Sequence, residues 1–325
     1  MRYDRGMRGW AVGVLAGIAL SACARPDHPP RAEIAAVAPP GQRVMKLSYP
    51  AGPTGSWSLP LVRGRVAGED VWMLVDTGAN YHVVAGWLVK KTGLKTRPIG
   101  AAGTDHAGRP ITTYRVDNAR IDAEGWGPVA QGTVLGTDVP AVFERAHIGV
   151  FLSPGQLAGE GGGVVVDLLH DEVREERFAD AAREVAKHGV EIAGDGARVC
   201  EDKAGAMTGR SYVVSARVEG QPVRLLLDTG APRSDLSSAS PAGKALLPHA
   251  ETAGEEIYTA SGRVPVHTLV AADVAVGKLR TRLDVDVFPG RPDAVCPRDG
   301  ALGLDVLHRC TMALSKTKAI VRCIP

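Results

Sequence analysis

The sequence predicts a mostly β protein of two related lobes joined by a short helix. Three observations carry this. A phrase of apolar residues followed by Asp-Thr-Gly-Ala occurs twice, as LVDTGA at 74–79 and LLDTGA at 226–231. The similarity extends far beyond the phrase, through hairpin-like stretches on either side of it. Thirty-nine Gly and 22 Pro against only 5% aromatic residues call for many turns, which suits short strands better than long helices.

The first residues are not expected to belong to the fold. Arg2, Arg5 and Arg8 precede the apolar stretch WAVGVLAGIAL, which leads into Leu20-Ser21-Ala22-Cys23. That stretch is short for a bilayer span and has the layout of an export signal, so residues 1–22 read as a removable signal peptide. The LSAC run resembles the bacterial lipobox. The resemblance implies lipidation of Cys23 and an exported, membrane-anchored lipoprotein facing the periplasm or cell surface. Residues 24–56 contain seven prolines and little apolar periodicity, so 23–56 is expected to be an extended tether.

The repeat defines the rest. LPLVRGRVAGEDVWMLVDTGA (59–79) lies on SYVVSARVEGQPVRLLLDTGA (211–231) without a gap, with ten of 21 positions identical. Each reads as a hairpin: a strand, a turn at Gly68 or Gly220, then an apolar strand running into the Asp. Next, AGRPITTY (107–114) matches SGRVPVHT (261–268), a turn centred on Gly108 or Gly262 followed by an alternating strand. Last, AHIGVFL (146–152) matches GALGLDV (300–306), setting Gly149 against Gly303. Three landmarks in one order identify a tandem duplication, with lobes at 57–169 and 190–325. Between them, Val173, Phe178, Ala181, Ala182 and Val185 fall near helical spacing among charged residues. This predicts a connecting amphipathic helix over 170–189 that stops at Gly189.

Four cysteines remain beyond Cys23, and an even number in an exported chain predicts two disulfides. Cys310 and Cys323 bracket a short segment and are the more natural pair, leaving Cys200 with Cys296, although the sequence permits three pairings. A net charge of +2 with dispersed charges gives no reason to expect a nucleic-acid partner. With no phosphate loop and no Cys-pair zinc spacing, neither a metal nor a cofactor is expected. His147, beside the third landmark, is expected to be a buried, hydrogen-bonded histidine and not a base.

An Asp that leaves a buried strand at a tight turn presents its carboxylate at an edge, and Gly after Thr lets another backbone approach closely. If the two turns meet across a pseudo-two-fold axis, Asp76 and Asp228 share one proton, because adjacent carboxylates cannot both ionise. Such a pair can deprotonate water with one carboxylate and protonate a carbonyl oxygen with the other. These residues resemble the aspartic proteases of the retropepsin and pepsin type, in a single-chain arrangement with lobes of retropepsin size. The resemblance implies two pseudo-two-fold related, retropepsin-like β-barrel lobes. It also implies a monomeric endopeptidase with a polypeptide substrate.

Within that likeness, Asp76 and Asp228 are the catalytic pair. Thr77 and Thr229 bond across to the opposite lobe, and Gly78 and Gly230 line the site. His106, Gly108 and Arg109 fall at the tip of a first flap and Gly262 at that of a second, while a crossing loop runs beneath each Asp turn. The alternative function is a catalytically silent lipoprotein that holds a peptide in the same cleft. After the shared Ala, Asn80 and Pro232 differ, and HIGVFLSP is a looser crossing loop than ALGLDVL. Ala79 and Ala231 offer the carboxylates no hydroxyl where many pepsin-type enzymes carry Ser or Thr, which places the expected optimum around pH 5–6.

Overall fold

A computed structural model describes residues 43–52, 55–56, 59–99, 103–105, 109–159, 162–193, 197–204, 207–259, 262–290 and 296–325. Both expected hairpins form. Leu61–Val66 pairs antiparallel with Glu69–Val75, and Met207–Val218 pairs with Gln221–Leu227. Each turn places two successive residues at positive φ: Ala67 (48°) and Gly68 (92°), then Glu219 (48°) and Gly220 (75°). That geometry follows the right-handed twist of the flanking strands. Val71, Met73 and Val75 then enter the main core, as do Val223, Leu225 and Leu227 in the second copy.

Each hairpin is part of a closed ring of six strands. In the first lobe the order is Gly127–Thr137, Val83–Ala85, Ile148–Leu152, Glu69–Val75, Leu61–Val66 and Thr113–Ala123, and the last pairs back to the first. In the second it is Leu279–Phe288, Asp235–Ser237, Gly300–Leu302, Gln221–Leu227, Met207–Val218 and Gly262–Val276, closed in the same way. The connectivity is identical in the two rings. Two barrel lobes are what the duplicated sequence predicted, and closure leaves these strands no open edge.

A third sheet joins the lobes. Its order is Val44–Lys46, Glu172–Arg177, Gly162–Asp167, Cys310–Leu314, Ala319–Cys323 and Val190–Ala193, three strands from each half. The pseudo-two-fold axis passes between Gly162–Asp167 and Cys310–Leu314.

This sheet corrects two expectations. Val44–Lys46 falls inside the predicted tether, yet it is a strand whose Met45 is fully buried. Its Val44 N–H bonds to the Gly125 carbonyl at 3.0 Å, and a Cβ on Gly125 would overlap the Val44 carbonyl. Gly277 admits the backbone of Glu191 and Ile192 in the same manner, so Val44–Lys46 is the first-lobe counterpart of Val190–Ala193. The predicted connecting helix is also shorter than 170–189. Glu172–Arg177 is a strand held by backbone pairing on both sides, and the helix occupies only Phe178–Val185. Val173 alone in this strand is fully buried, while the charged residues around it are half-buried and Arg177 is exposed. The helix packs Ala181 and Val185 on Val165 and Ala313 of the sheet.

The disulfides are Cys200–Cys296 and Cys310–Cys323. The second links directly paired residues of neighbouring strands, while the first ties Arg198–Ala204 to the segment ahead of Gly300–Leu302. Two such bonds belong to an oxidising, exported environment. Among the described residues no helix is long and apolar enough to cross a membrane. Cys23, with the rest of the predicted signal peptide, lies outside the described residues.

Candidate active site

Glu69–Val75 and Gln221–Leu227 end at Asp76 and Asp228, and the two turns meet. The Thr77 N–H donates to Thr229 Oγ1 at 3.0 Å, and the Thr229 N–H donates to Thr77 Oγ1 at 3.0 Å. The Thr77 hydroxyl donates to the Leu227 carbonyl (2.8 Å) and the Thr229 hydroxyl to the Val75 carbonyl (2.6 Å). Both threonines are fully buried, so these four bonds are shielded from water and fix one turn against the other. The glycines lie crosswise. A Cβ on Gly78 would stand 2.5 Å from Asp228 Cγ, and one on Gly230 would stand 2.8 Å from Asp76 Cγ. Glycine is required at both places because each lobe's backbone passes against the other lobe's carboxyl group.

The carboxyl groups stand close enough for the charge and the side chain of Asp228 both to act on Asp76. Asp76 Oδ1 also accepts from the N–H groups of Gly78 (2.8 Å) and Ala79 (3.0 Å), and Asp228 Oδ1 accepts from the Gly230 N–H (2.8 Å). Burial, and then the charge of Asp228, push the Asp76 carboxyl far above the usual carboxylate range, while the two amides pull the other way. The pair therefore keeps one proton between its members well above ordinary carboxylate pH. That state combines a base and an acid at one point.

Beneath each turn runs a crossing loop. The Asp76 N–H donates to the Leu152 carbonyl at 2.9 Å, and the Asp228 N–H to the Leu302 carbonyl at 3.1 Å. Leu152 thus stands where Leu302 stands, which corrects the sequence match of Gly149 with Gly303 by four residues. The true counterpart of Gly303 is Ser153, and the short helices Pro154–Leu157 and Leu304–Leu307 follow them. Gly303 is needed because a Cβ there would lie 2.5 Å from the Arg233 backbone. Ser153 has an ordinary extended backbone, with φ −79° and ψ 111°. Gly149 sits inside a strand, against Leu88 and Val71.

The predicted flaps are partly described. The Arg109 N–H donates to Asp105 Oδ1 at 2.8 Å, closing a small hairpin, and its guanidinium donates to the Arg263 carbonyl of the other lobe at 3.1 Å. Gly262, at φ 116°, begins the returning strand of the second hairpin, and the Thr259 hydroxyl donates to its carbonyl. His106 and Gly108 lie outside the described residues. His147 is buried with its ring 5.3 Å from that of Trp87, and its carbonyl accepts from the Trp72 N–H.

Reading the sequence missed a second tie between lobes. The Asn80 side chain accepts from the Ser211 hydroxyl, and its carbonyl accepts from Gln156 Nε2 (3.1 Å) and the Arg210 N–H (3.2 Å). It also missed His82, buried next to the first crossing loop. Setting Leu152-Ser153 on Leu302-Gly303 would have pointed to His82, because the residue aligned with it is Ser234.

A family model described as aspartyl protease matches residues 62–143 and 214–306, together just over half of the chain. No curated protein matches the sequence. Among solved structures, basic 7S globulin from soybean aligns with 87% of this chain and 95% of its own, at 11% identity and a TM-score of 0.41. Conglutin gamma, a basic 7S globulin from lupine seeds, aligns over the same shares at 10% identity and a TM-score of 0.43. With both matched segments carrying the Asp-Thr-Gly turns just described, the chain belongs to the aspartyl protease family.

Proposed function

We propose that this protein is an exported aspartic endopeptidase that acts as a monomer on polypeptides and is held at the envelope by a lipid on Cys23. The adjoining Asp76 and Asp228 carboxyl groups, clamped by reciprocal threonine bonds from opposite lobes, are the observation that carries the reading. With one proton on the pair, the ionised carboxyl takes a proton from water as that water attacks the scissile carbonyl carbon. The other carboxyl gives its proton to the carbonyl oxygen, and the tetrahedral intermediate then collapses as the leaving nitrogen is protonated. No covalent bond to the enzyme is needed. Rigid placement of both groups supplies much of the rate, since neither has to reorganise during reaction. Two disulfides and the signal-like N-terminus support export.

The test is incubation with a peptide library at about pH 5–6, the range expected for a proton-sharing carboxylate pair without the extra hydroxyl donors. Wild type should cleave, while Asp76→Asn and Asp228→Asn should each lose at least about a thousandfold in kcat with unchanged circular dichroism. Peptide binding without cleavage at any pH would instead make the protein a silent binding lipoprotein. Cys23→Ser should move the protein out of the membrane fraction, and its retention there would end the anchoring claim.

A further inference from the structure

We infer that His82 is a positioning residue for Asp76, acting through the loop on which the Asp76 amide hangs, and that it makes the first lobe release its catalytic turn in acid while the second holds. The part concerning Asp76 rests on the protease reading above; the part concerning the imidazole stands without it. The contacts form a short chain. The Asp76 N–H donates to the Leu152 carbonyl, and the next amide, that of Ser153, donates to His82 Nδ1 at 3.1 Å. An Nδ1 that accepts a hydrogen bond carries no proton, so the imidazole is neutral with its proton on Nε2. Nε2 itself and the Ser153 hydroxyl are buried and have no hydrogen-bond partner among the described residues. Nothing there would stabilise a charge.

The second lobe holds the same point differently. The Gly303 N–H donates to Ser234 Oγ at 3.0 Å, and the Ser234 hydroxyl and amide donate to Asp305 at 2.7 and 2.8 Å. Asp305 aligns with Gly155 in the first lobe, so no carboxylate stands there to pair with His82. The strand Ile148–Leu152 and the helix Pro154–Leu157 on either side of Ser153 contain no charged or titratable side chain. On the segment that carries His82 the titratable groups are Asp76 and Tyr81. A serine hydroxyl accepts a hydrogen bond at any pH. Burial raises the Asp305 carboxyl, yet a protonated carboxyl keeps one acceptor oxygen for Ser234. Protonated His82, by contrast, would aim a donor at the Ser153 donor.

Burial lowers His82 from 6.5 to about 4. The unfolded chain therefore takes up this proton first. The contribution of His82 to stability is complete above pH 6.5 and is lost as pH falls towards about 4, at roughly tenfold in the folding constant per pH unit. Below that the folded protein charges too, and the bond to Ser153 breaks.

The experiment compares wild type with His82→Asn and His82→Leu. Asparagine keeps an acceptor near the position of Nδ1 and cannot titrate; leucine has no acceptor. Imidazole nitrogen shifts in the wild type should show an Nε2–H tautomer that persists to about pH 4. On a cleaved peptide, His82→Leu should lower kcat by roughly tenfold or more at pH 6 with little change in KM, as expected when a reacting group is misplaced. His82→Asn should recover most of that loss and carry its kcat about a pH unit further into acid than wild type. An imidazole that titrates near 6.5, or an acid limb that is the same in wild type and His82→Asn, overturns the inference. Should the wild type cleave no peptide, the tautomer and the acid-unfolding midpoints of the three proteins still decide whether His82 holds the loop, separately from whether Asp76 is catalytic.

Discussion

The two lobes present the same reactive turn on different foundations. Around Asp76 the support is apolar or neutral: His82 carries the crossing loop, and Val83 pairs with Leu135 on the neighbouring strand. Around Asp228 it is polar. Ser234 and Asp305 carry the loop, and Asp235 pairs with Asp286 where the first lobe has Val83 and Leu135. Asp286 is buried but receives the Thr268 hydroxyl and the Arg233 guanidinium, so its charge is compensated. Both disulfides bind segments of the second half. After duplication, then, the bonds that place the carboxyl groups were kept to within about 0.2 Å of one another, while the packing behind them diverged. Symmetry is required at the two Asp turns and dispensable one layer away.

That contrast can be tested where it predicts equality. The largest effect should come from Gly78→Ala and Gly230→Ala, each of which drives a methyl group into the opposite carboxyl. Both should lower kcat at least about a hundredfold, since misplacement of an ångström at a reacting group costs that much. An intact rate in only one of the two variants would break the symmetry at its centre. Next come Thr77→Val and Thr229→Val. Each removes a hydroxyl that donates once and accepts once across the interface, at a cost of about 2–4 kcal/mol in urea unfolding, and the two losses should agree within about 1 kcal/mol.

The effect that is smallest per step of the variable changed is one of protonation. Because the folded-state pKa of Asp76 is raised, the stability its proton confers is complete below the ordinary carboxylate range and is lost as pH rises through the raised value. Asp76→Asn cannot ionise. Its stability relative to wild type should therefore improve with rising pH across that interval, by about 1.4 kcal/mol per unit. A difference that stays flat from pH 4 to about pH 8 would show that Asp76 ionises as an ordinary carboxylate.

The Asp-Thr-Gly turns were legible because everything that makes them work is local: a strand, a tight turn, and a glycine where another chain must come close. The hairpins behind them were legible for the same reason, through two-residue turns that set register. Glycine is a false guide to the register of the crossing loop, because of Gly149 and Gly303 only the latter has a backbone neighbour that forbids a side chain. Ser153 does the same work with an ordinary backbone, so nothing at that position marks it. Glu172–Arg177 and Val44–Lys46 were misread for another reason. Each is a strand only by virtue of partners far away in sequence, and EVREER or VMK alone carries too few apolar residues to reveal a sheet. His82 stayed hidden because one buried histidine in a sequence has no signature. It becomes visible when the lobes are superposed through their hydrogen bonds.

The shared sheet also sets a timetable for synthesis. Gly162–Asp167 is made with Glu172–Arg177 beside it, but its other edge waits for Cys310–Leu314, from the far end of the chain. At about 5–20 residues per second that edge, with Val164, Val165 and Val166 in a row, stays open for on the order of ten seconds or more. An open apolar strand edge templates pairing with whatever strand arrives first. The strand that fits it is antiparallel and pseudo-symmetric to itself, so a second nascent first half is the natural wrong partner. Cooperative closure of the molecule thus comes last, and a chain that stalls midway is left with the surface of half a dimer.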